Sequence, residues 1–236
     1  MNDRTKEDEE RDEALEVFFQ ISSALIGNQS LDEILYQIVV RTADLVDSKI
    51  CSLMMLNEEK GTLEIKATQS LSAEYREKPP IKIGQSVSGK VVMEKKVIQV
   101  EDVTKDPMYG FPEIARQNGL KSLLSVPMLV GAKVIGVINS YTEEVRVFDP
   151  HEIRLVRTMA NHAAMAIEHV HMRAKEEKAR TALETRKSVD QAKRILMKKY
   201  QMDEEAAHRL IQKMSMDRNK PVGEVASAIV MAAELK

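Results

Sequence analysis

The chain lacks residue types on which several classes of protein depend. Its 236 residues include no tryptophan, one cysteine (Cys51) and only 4% aromatic residues. One cysteine per chain excludes an intramolecular disulfide framework and a thiolate metal cluster. No run of about eighteen apolar residues is present, so we expect no membrane-spanning helix. The N-terminus is polar and acidic and lacks the apolar stretch of a secretory signal, so we expect a cytoplasmic protein.

Enzyme signatures are absent as well. The sequence contains no G-x-x-x-x-G-K-[ST] loop, no G-x-G-x-x-G that opens a helix, no H-E-x-x-H and no G-x-S-x-G. The segment GQSVSGK is interpreted as a turn before a short helix, with Ser86 or Ser88 as its N-cap. Cys51 lies in an apolar stretch, which favours a buried structural thiol over a nucleophile. We therefore expect no enzymatic activity.

Three histidines of the long helical stretch are candidate metal ligands. His162 and His169 are seven residues apart and share one face of a predicted helix, whereas His171 points elsewhere. No carboxylate or cysteine is placed to complete a set of ligands. Packing is the simpler interpretation, so we expect neither a metal site nor haem.

Charge is unevenly distributed along the chain. Residues 1–170 contain 20 Lys and Arg against 27 Asp and Glu, whereas residues 171–236 contain 15 against 10. A basic segment behind an acidic body indicates contact with a polyanion. A solvated helical face with surplus lysine explains the same numbers, so charge alone leaves both interpretations open.

The first part of the chain has the pattern of an α+β domain. A helix is predicted over residues 14–26, and a second begins after Ser30, with Glu33 completing a capping box. Two strands joined by a turn at residues 57–61 follow, then a short strand, and later a long hairpin around Gly131. This order predicts an antiparallel sheet with helices packed on one face.

From residue 149 the pattern becomes continuously helical. The stretch up to Tyr200 contains no glycine, and its one proline, Pro150, lies at the helix start, where proline is tolerated. Apolar residues at spacings of three and four form a seam that predicts pairing with a second copy in a coiled coil: Leu155, Met159, Ala163, Ala166 and Val170. Beyond Val170 the seam weakens, which is typical of a helical linker.

The last residues have the pattern of a small three-helix unit. Asp203 is a predicted N-cap, followed by acidic residues that suit the helix dipole. The residues expected to form its core are Ala192, Ile195, Leu196, Ala207, Leu210, Met214, Val222, Val225, Ala226 and Ile229.

Cationic and polar residues of this unit are candidates for RNA binding. Cations bind phosphates by releasing counterions, and a tyrosine can stack on an unpaired base. The alternative is that the tyrosine packs at a helix end and the cations keep the surface soluble. The candidate residues are Arg186, Lys193, Arg194, Met197, Lys198, Tyr200, Arg209, Gln212, Lys213, Arg218 and Lys220.

Residues 12–170 resemble a GAF domain. The resemblance is carried by KPPIKIGQSVSGKVVMEKKVIQVEDVTKDP, by SLLSVPMLVGAKVIGVINSY and by the helix after FDPHEIRLVRTMANHAAMAI. It implies a sensory module that holds a small molecule between the sheet and the crossing loops. Here the pocket is expected among residues 81–89 and 100–119 and the central strands, but neither its lining residues nor its ligand is identified.

Residues 186–236 resemble an ANTAR domain. The resemblance is carried by AKRILMKKYQMDEEAAHRLIQKMSMDRNKPVGEVASAIV. It implies a three-helix unit that binds paired RNA hairpins in nascent leader transcripts, so that a terminator does not form and transcription continues. Members of this family act as dimers, commonly through a coiled coil ahead of the domain.

Two departures narrow the possible ligands. Cyclic-nucleotide-binding GAF domains carry an N-K-x-F pattern, whereas Asn139 here is followed by Ser140 and Tyr141, which argues against cyclic GMP or AMP. The methionine sulfoxide reductases of this fold need several cysteines, and one cysteine argues against that activity.

The complete interpretation has four segments. Residues 1–11 are a flexible acidic N-terminus, 12–170 a GAF-like sensor, 171–185 a helical linker or coiled coil, and 186–236 an ANTAR-like RNA-binding domain. The predicted function is ligand-responsive transcription antitermination by a homodimer, with no known cofactor and an unidentified small-molecule effector. The alternative is a dimeric GAF signalling module whose C-terminal helices bind a protein.

Overall fold

A computed structural model describes residues 30–234 of the chain. The predicted acidic segment 1–11 and the predicted helix 14–26 lie outside the described residues. Within them, a contact boundary between Val170 and His171 divides the chain into two compact units. No helix of residues 30–234 has both the length and the apolar character needed to cross a lipid bilayer.

The first unit contains a six-stranded antiparallel sheet. Its spatial order is β3-β2-β1-β6-β5-β4, so the two long hairpins lie side by side through β1 and β6. The predicted turns at residues 57–61 and at Gly131 are confirmed. The strands are β1 (Ile50–Asn57), β2 (Thr62–Thr68), β3 (Ile81–Lys82), β4 (Ile98–Val100), β5 (Leu123–Val130) and β6 (Lys133–Tyr141).

Seven helices are present among the described residues. The capping box is confirmed, since the Glu33 amide donates to the Ser30 hydroxyl and the Ser30 amide donates to the Glu33 carboxylate. The helices are α1 (Leu31–Leu45), α2 (Ala73–Arg76), α3 (Ser86–Glu94), α4 (Pro112–Gln117), α5 (Pro150–Tyr200), α6 (Glu204–Arg218) and α7 (Val222–Glu234).

The two faces of the sheet bury different sets of side chains. Alternate residues of the central strands, such as Leu53, Val126 and Ile138, pack with α1 and the first part of α5. Residues of the opposite register, such as Met54 and Val137, pack with α3. The expectation of helices on one face is therefore incomplete, because the Gly- and Pro-rich crossing segment supplies α3 to cover the second face.

The predicted N-cap of α3 is wrong. Gln85 occupies the N-cap position and makes no side-chain capping bond. Ser86 has a positive φ of 58° and accepts a hydrogen bond from the Gly110 amide, while Ser88 points into the domain. Both serines are therefore committed to tertiary contacts, which the local pattern could not reveal.

Residues of α5 that were predicted to form the dimer seam pack into the core of the first unit. Met159, Ala163 and Ala166 are buried in the core shared with α1 and the sheet. The spacing of three and four was correct for a helix, but these side chains pack within the chain. They are unavailable for pairing with a second copy.

The second unit has the predicted three-helix core. Ala192, Leu196 and Ala207 are buried together with Val225 and Ala226, and Leu210, Met214, Val222 and Ile229 pack against them. Ile195 is half-buried beside them. Asp203 caps α6 as expected, because its carboxylate accepts a hydrogen bond from the Ala206 amide.

Candidate ligand site and nucleic-acid interface

A polar row crosses the centre of the sheet on the face covered by α3. Ser52, Asn139 and Ser125 are cross-strand neighbours on β1, β6 and β5. All three are buried, and they alternate with the apolar residues that face α1 and α5. Burying three polar side chains costs free energy unless each of them is hydrogen-bonded. We therefore take this row as the candidate polar surface of a ligand site.

Two members of this row have partners and one does not. The Ser88 hydroxyl of α3 donates to Asn139 Oδ1 at 3.1 Å, and Ser52 Oγ lies 2.9 Å from the Tyr75 hydroxyl. Ser125 Oγ has no hydrogen-bond partner within residues 30–234. A buried hydroxyl without a protein partner is uncommon in native proteins, and Ser125 Oγ is therefore free to bond a water molecule or a polar group of a ligand.

Three tyrosines form an aromatic cluster at one end of the row. Tyr75 and Tyr141 meet edge to face with ring centroids 5.9 Å apart, and Tyr109 meets Tyr141 in the same way at 6.1 Å. All three are buried. Burial raises the pKa of each phenol well above its ordinary value, so the cluster carries no negative charge at neutral pH.

Lys78 reaches into this cluster. Its Nζ lies 3.7 Å from the Tyr75 ring centroid, and it donates a 3.3 Å hydrogen bond to the Tyr109 hydroxyl. The Tyr141 and Phe111 ring centroids are 5.3 and 5.7 Å away. Burial lowers the pKa of the Lys78 amine to about 7, because an ammonium group loses hydration in an apolar environment.

The sequence identified only part of this site. The segments expected to line the pocket supply Ser88, Tyr109 and Phe111, but Tyr75 and Lys78 come from the connection between β2 and β3, outside those segments. One available signal was the alternation of Asn139 and Tyr141 in a strand whose other residues are mostly apolar.

Cys51 and the GQSVSGK segment have structural roles in the first unit. Burial raises the pKa of the Cys51 thiol to about 12, so it is not a thiolate nucleophile at neutral pH. Gly84, Gly89 and Lys90 have the spacing of a phosphate loop, but Val91 is buried where the hydroxyl residue would be needed. Among residues 30–234, no group of three His, Cys, Asp or Glu is arranged to hold a metal ion.

The candidate RNA-binding residues lie on helices α5 and α6 and the connection to α7. Met197 is half-buried against the three-helix core, and Lys193 is also largely enclosed. The remaining nine are exposed: Arg186, Arg194, Lys198, Tyr200, Arg209, Gln212, Lys213, Arg218 and Lys220.

Lys193 differs from the other cations because it forms ion pairs with two carboxylates of the same unit. Its ammonium pairs with Asp190 at 2.8 Å and with Glu204 at 2.7 Å, which ties α5 to the first turn of α6. The hydrogen bonds to Asp190 and then Glu204 raise the pKa of Lys193. Lys193 is thus already neutralised within the unit, which leaves it less charge to offer a phosphate.

The exposed cations differ in whether they form ion pairs within the unit. Arg209 pairs with Glu205 at 2.7 Å and Lys220 with Glu224 at 3.1 Å, each across one helical turn at the surface. Such exposed pairs contribute little and open easily. Lys198, Lys213 and Arg218 have no ion pair with any residue in the described part of the chain. These exposed cations are available to a polyanion.

Comparison with known families matches both units. The model described as "GAF domain" matches residues 28–168, and the model described as "ANTAR domain" matches residues 177–230. A curated relative, the methyl sulfide methyltransferase-associated sensor of Methanosarcina acetivorans, is 29% identical over 156 residues. The match covers 64% of this chain but only 16% of that protein, so the chain spans about a sixth of its relative's length.

Solved structures match the fold of the first unit. The GAF domain of a phosphoenolpyruvate-protein phosphotransferase from Coxiella burnetii superposes with a TM-score of 0.60 at 24% identity, covering 69% of this chain and 96% of that one. A free methionine-R-sulfoxide reductase from Neisseria meningitidis, solved with its substrate, superposes with a TM-score of 0.57 at 18% identity, covering 67% and 90%. At these identities the likeness concerns the fold.

Proposed function

The chain belongs to the GAF domain family and carries an ANTAR domain behind its GAF domain, and from this we propose that it regulates transcription antitermination by binding paired hairpins in leader transcripts. The GAF domain senses a small molecule, and the ANTAR domain binds the RNA. Because nascent transcripts are the target, we place the protein in the cytoplasm.

The observation that carries the RNA-binding proposal is the division of α6 into two faces. Ala207 and Ile211 are buried in the three-helix core, whereas Arg209, Gln212 and Lys213 are exposed on the other side. The core residues hold the helix in place, so the exposed side chains are presented without any rearrangement. Charge on such a surface favours RNA through counterion release.

We further propose that the protein acts as a homodimer through a different part of α5. Met172, Ala179 and Leu183 are exposed and lie at the spacing of a coiled-coil seam. They lie beyond the segment that packs into the first unit. The ligand can then control RNA binding by favouring one of two pairing states of this helix.

We propose no enzymatic activity. Reductases share the fold of the first unit, but Cys51 is the single cysteine of the chain, and its buried thiol has a pKa of about 12. A thiol redox cycle needs an accessible thiolate and a second thiol to resolve the product. Neither requirement is met by this residue.

The RNA-binding proposal is tested with a pair of matched double variants. Arg209→Ala with Lys213→Ala removes two exposed cations of α6, and Arg173→Ala with Lys175→Ala removes two from α5 outside the ANTAR match. Affinity for a two-hairpin RNA is measured over a range of salt concentrations. We expect the α6 variant to bind at least tenfold more weakly, with a salt slope lower by ~1 per removed contact.

The control variant should bind as the unchanged protein does. Equal losses in both variants would indicate non-specific charge attraction, and no loss in either would contradict the assignment of α6. Lys193 is left unchanged in this experiment, because its removal would break the contact between α5 and α6 and confuse binding with folding.

A protein partner for the C-terminal helices is the second candidate. An apolar groove of about 470 Å³ lies between α5, α6 and α7 and is lined by residues such as Leu196, Tyr200, Met214 and Ile229. Such grooves accept amphipathic segments of other proteins. Binding to this groove would be insensitive to salt, so the salt titration separates the two candidates.

A further inference from the structure

The ammonium group of Lys78 lies inside a cage of four aromatic rings. These belong to Tyr75, Tyr109, Phe111 and Tyr141, whose centroids are 3.7, 5.8, 5.7 and 5.3 Å from its Nζ. A cation is attracted to the negative face of an aromatic ring within about 6 Å, and desolvation strengthens the attraction. Four rings around one amine favour a cation over an anion and recover part of the free energy that burial costs the charged group.

No carboxylate contributes to this selectivity. Among residues 30–234, Lys78 makes no ion pair, and its polar contact is the Tyr109 hydroxyl. The groups that face it from the packed elements are the phenols of Tyr75, Tyr109 and Tyr141, which burial keeps neutral. The cage therefore binds a cation by ring faces and phenol oxygens. A divalent metal ion, which needs several oxygen ligands at short distance, does not fit this set.

Lys78 enters the cage from the surface of the domain. It follows the single-turn helix α2 and precedes Pro79 and Pro80, and these prolines and Glu77 are exposed. The residue as a whole is half-buried, while its amine is the enclosed part. The Lys78 side chain thus extends from an exposed connection and fills the aromatic cage with its amine. It can leave the cage without disturbing the strands.

The cage is continuous with the polar row on the sheet. The Tyr75 hydroxyl lies 2.9 Å from Ser52 Oγ, and Ser52 is the cross-strand neighbour of Asn139. On the other side of Asn139 lies Ser125, whose buried hydroxyl has no partner within the described residues. A molecule with a cationic end in the cage would thus have hydrogen-bonding groups within reach of its other end.

We propose that the cage of Tyr75, Tyr109, Phe111 and Tyr141 is the cation-binding end of the sensor's ligand site, that its ligand is a small organic ammonium ion with a polar group at the far end, and that Lys78 occupies the cage as an internal stand-in until the ligand displaces it. This inference rests on the proposed sensory role and assigns the chemical class of the signal.

The test removes the Lys78 side chain by mutation and then adds free molecules of similar size. Lys78→Ala empties the cage, and n-butylammonium, n-butanol and butyrate are then titrated as cation, neutral molecule and anion. Tyrosine fluorescence reports on binding, because the chain has no tryptophan and three of its five tyrosines form the cage. We expect the variant to bind n-butylammonium at least tenfold more tightly than either of the other probes.

The unchanged protein should bind n-butylammonium at least tenfold more weakly than Lys78→Ala does, because its own lysine competes for the cage. Lys78→Ser also removes the long side chain and leaves the cage empty, and it serves if the alanine variant does not fold. It should still bind the ammonium probe more tightly than the unchanged protein. In the Lys78→Ala background, Phe111→Leu should weaken the binding of n-butylammonium, whereas Tyr36→Leu, at an exposed position outside the cage, should leave it unchanged.

Three results would overturn the inference. Equal affinity for n-butanol and n-butylammonium would show an apolar cavity without charge selectivity. Preference of the unchanged protein for butyrate would show that Lys78 pairs with an anionic ligand. Absence of binding by every probe to folded variants would show that the cage is structural. In all three cases, intact binding of hairpin RNA would leave the proposed function standing. Conversely, ammonium binding without any RNA binding would contradict the proposed function alone.

Discussion

At the scale of single residues, the least ordinary feature of the protein is a lysine buried among aromatic rings. Burial of an ammonium group costs free energy that ring faces recover in part. The remaining cost appears as the depressed pKa of Lys78. A residue that destabilises its own fold is typical of a binding site, where a strained or incomplete arrangement is completed by a ligand.

The first prediction concerns the pH dependence of stability. The pKa of Lys78 falls from 10.5 to about 7 on folding, so between these values the unfolded chain binds more protons than the native protein. The free energy of unfolding therefore increases, through this group, as pH rises from about 7 to 10.5. Any stability advantage of Lys78→Met over the unchanged protein should be largest below pH 7 and shrink above it.

Urea unfolding of both proteins at a series of pH values from 6 to 9 measures this difference, and Lys60→Met, at an exposed turn, is the control. A difference between Lys78→Met and the unchanged protein that stays constant over the series would show that the amine is not desolvated.

The second prediction concerns Cys51. Its thiol is fully buried, and desolvation raises its pKa to about 12. The thiolate is the form that attacks thiol reagents, so the native protein should react at least a hundredfold more slowly than the protein unfolded in urea, in which one thiol per chain should react. Fast labelling of the native protein would mean that β1 opens readily.

At the scale of secondary structure elements, helix α3 determines whether the second face of the sheet is covered. It packs so closely on β3 that a Cβ at Gly89 would lie 2.5 Å from the Lys82 carbonyl oxygen. The Gly84 amide also donates to the Gly89 carbonyl at 3.0 Å. A glycine at this position allows Ser88, its neighbour, to reach Asn139.

The third prediction is that Gly89→Ala destabilises the protein. Overpacking against a backbone atom typically costs ~1–3 kcal/mol, which exceeds the small gain in helix propensity from alanine. Met93→Ala, at an exposed position of the same helix, should change the unfolding free energy much less. Thermal or urea unfolding measures the loss of stability in both variants. An unchanged or increased stability of Gly89→Ala would contradict the close packing.

At the scale of the whole molecule, the long helix α5 supplies residues to both cores. Met159 and Ala163 belong to the core of the first unit, and Ala192 and Leu196 to the core of the second. The helix continues without interruption between these segments. In the proposed function, its exposed middle part is the element that connects the sensor to the RNA-binding unit.

The fourth prediction is that this middle part mediates dimerisation. Met172→Glu combined with Leu183→Glu places charges on the exposed apolar face, and we expect it to shift a homodimer to monomers in sedimentation experiments. Thr181→Glu, also exposed but on another face of α5, should leave the dimer intact. A dimer that survives the double change pairs through some other surface.

Features that depend on neighbouring residues could be predicted from the sequence alone. The capping box at Ser30, the N-cap at Asp203, the hairpin turns and the inner faces of α6 and α7 follow from local spacing and were predicted correctly. The family resemblance of both units was visible for the same reason, since it rests on short motifs. The same local reading misassigned the seam of α5, because a helical stripe does not show which partner covers it.

Tertiary structure decided the rest, above all the composition of the candidate ligand site. The cage joins residues 75, 78, 109, 111 and 141, which meet because β1 and β6 pair at the centre of the sheet and the crossing segments fold over it. No local pattern marks Lys78, whose neighbours are exposed. The close contact of its amine with aromatic rings arises from long-range packing, and that packing gives an ordinary surface lysine the surroundings of a bound cation.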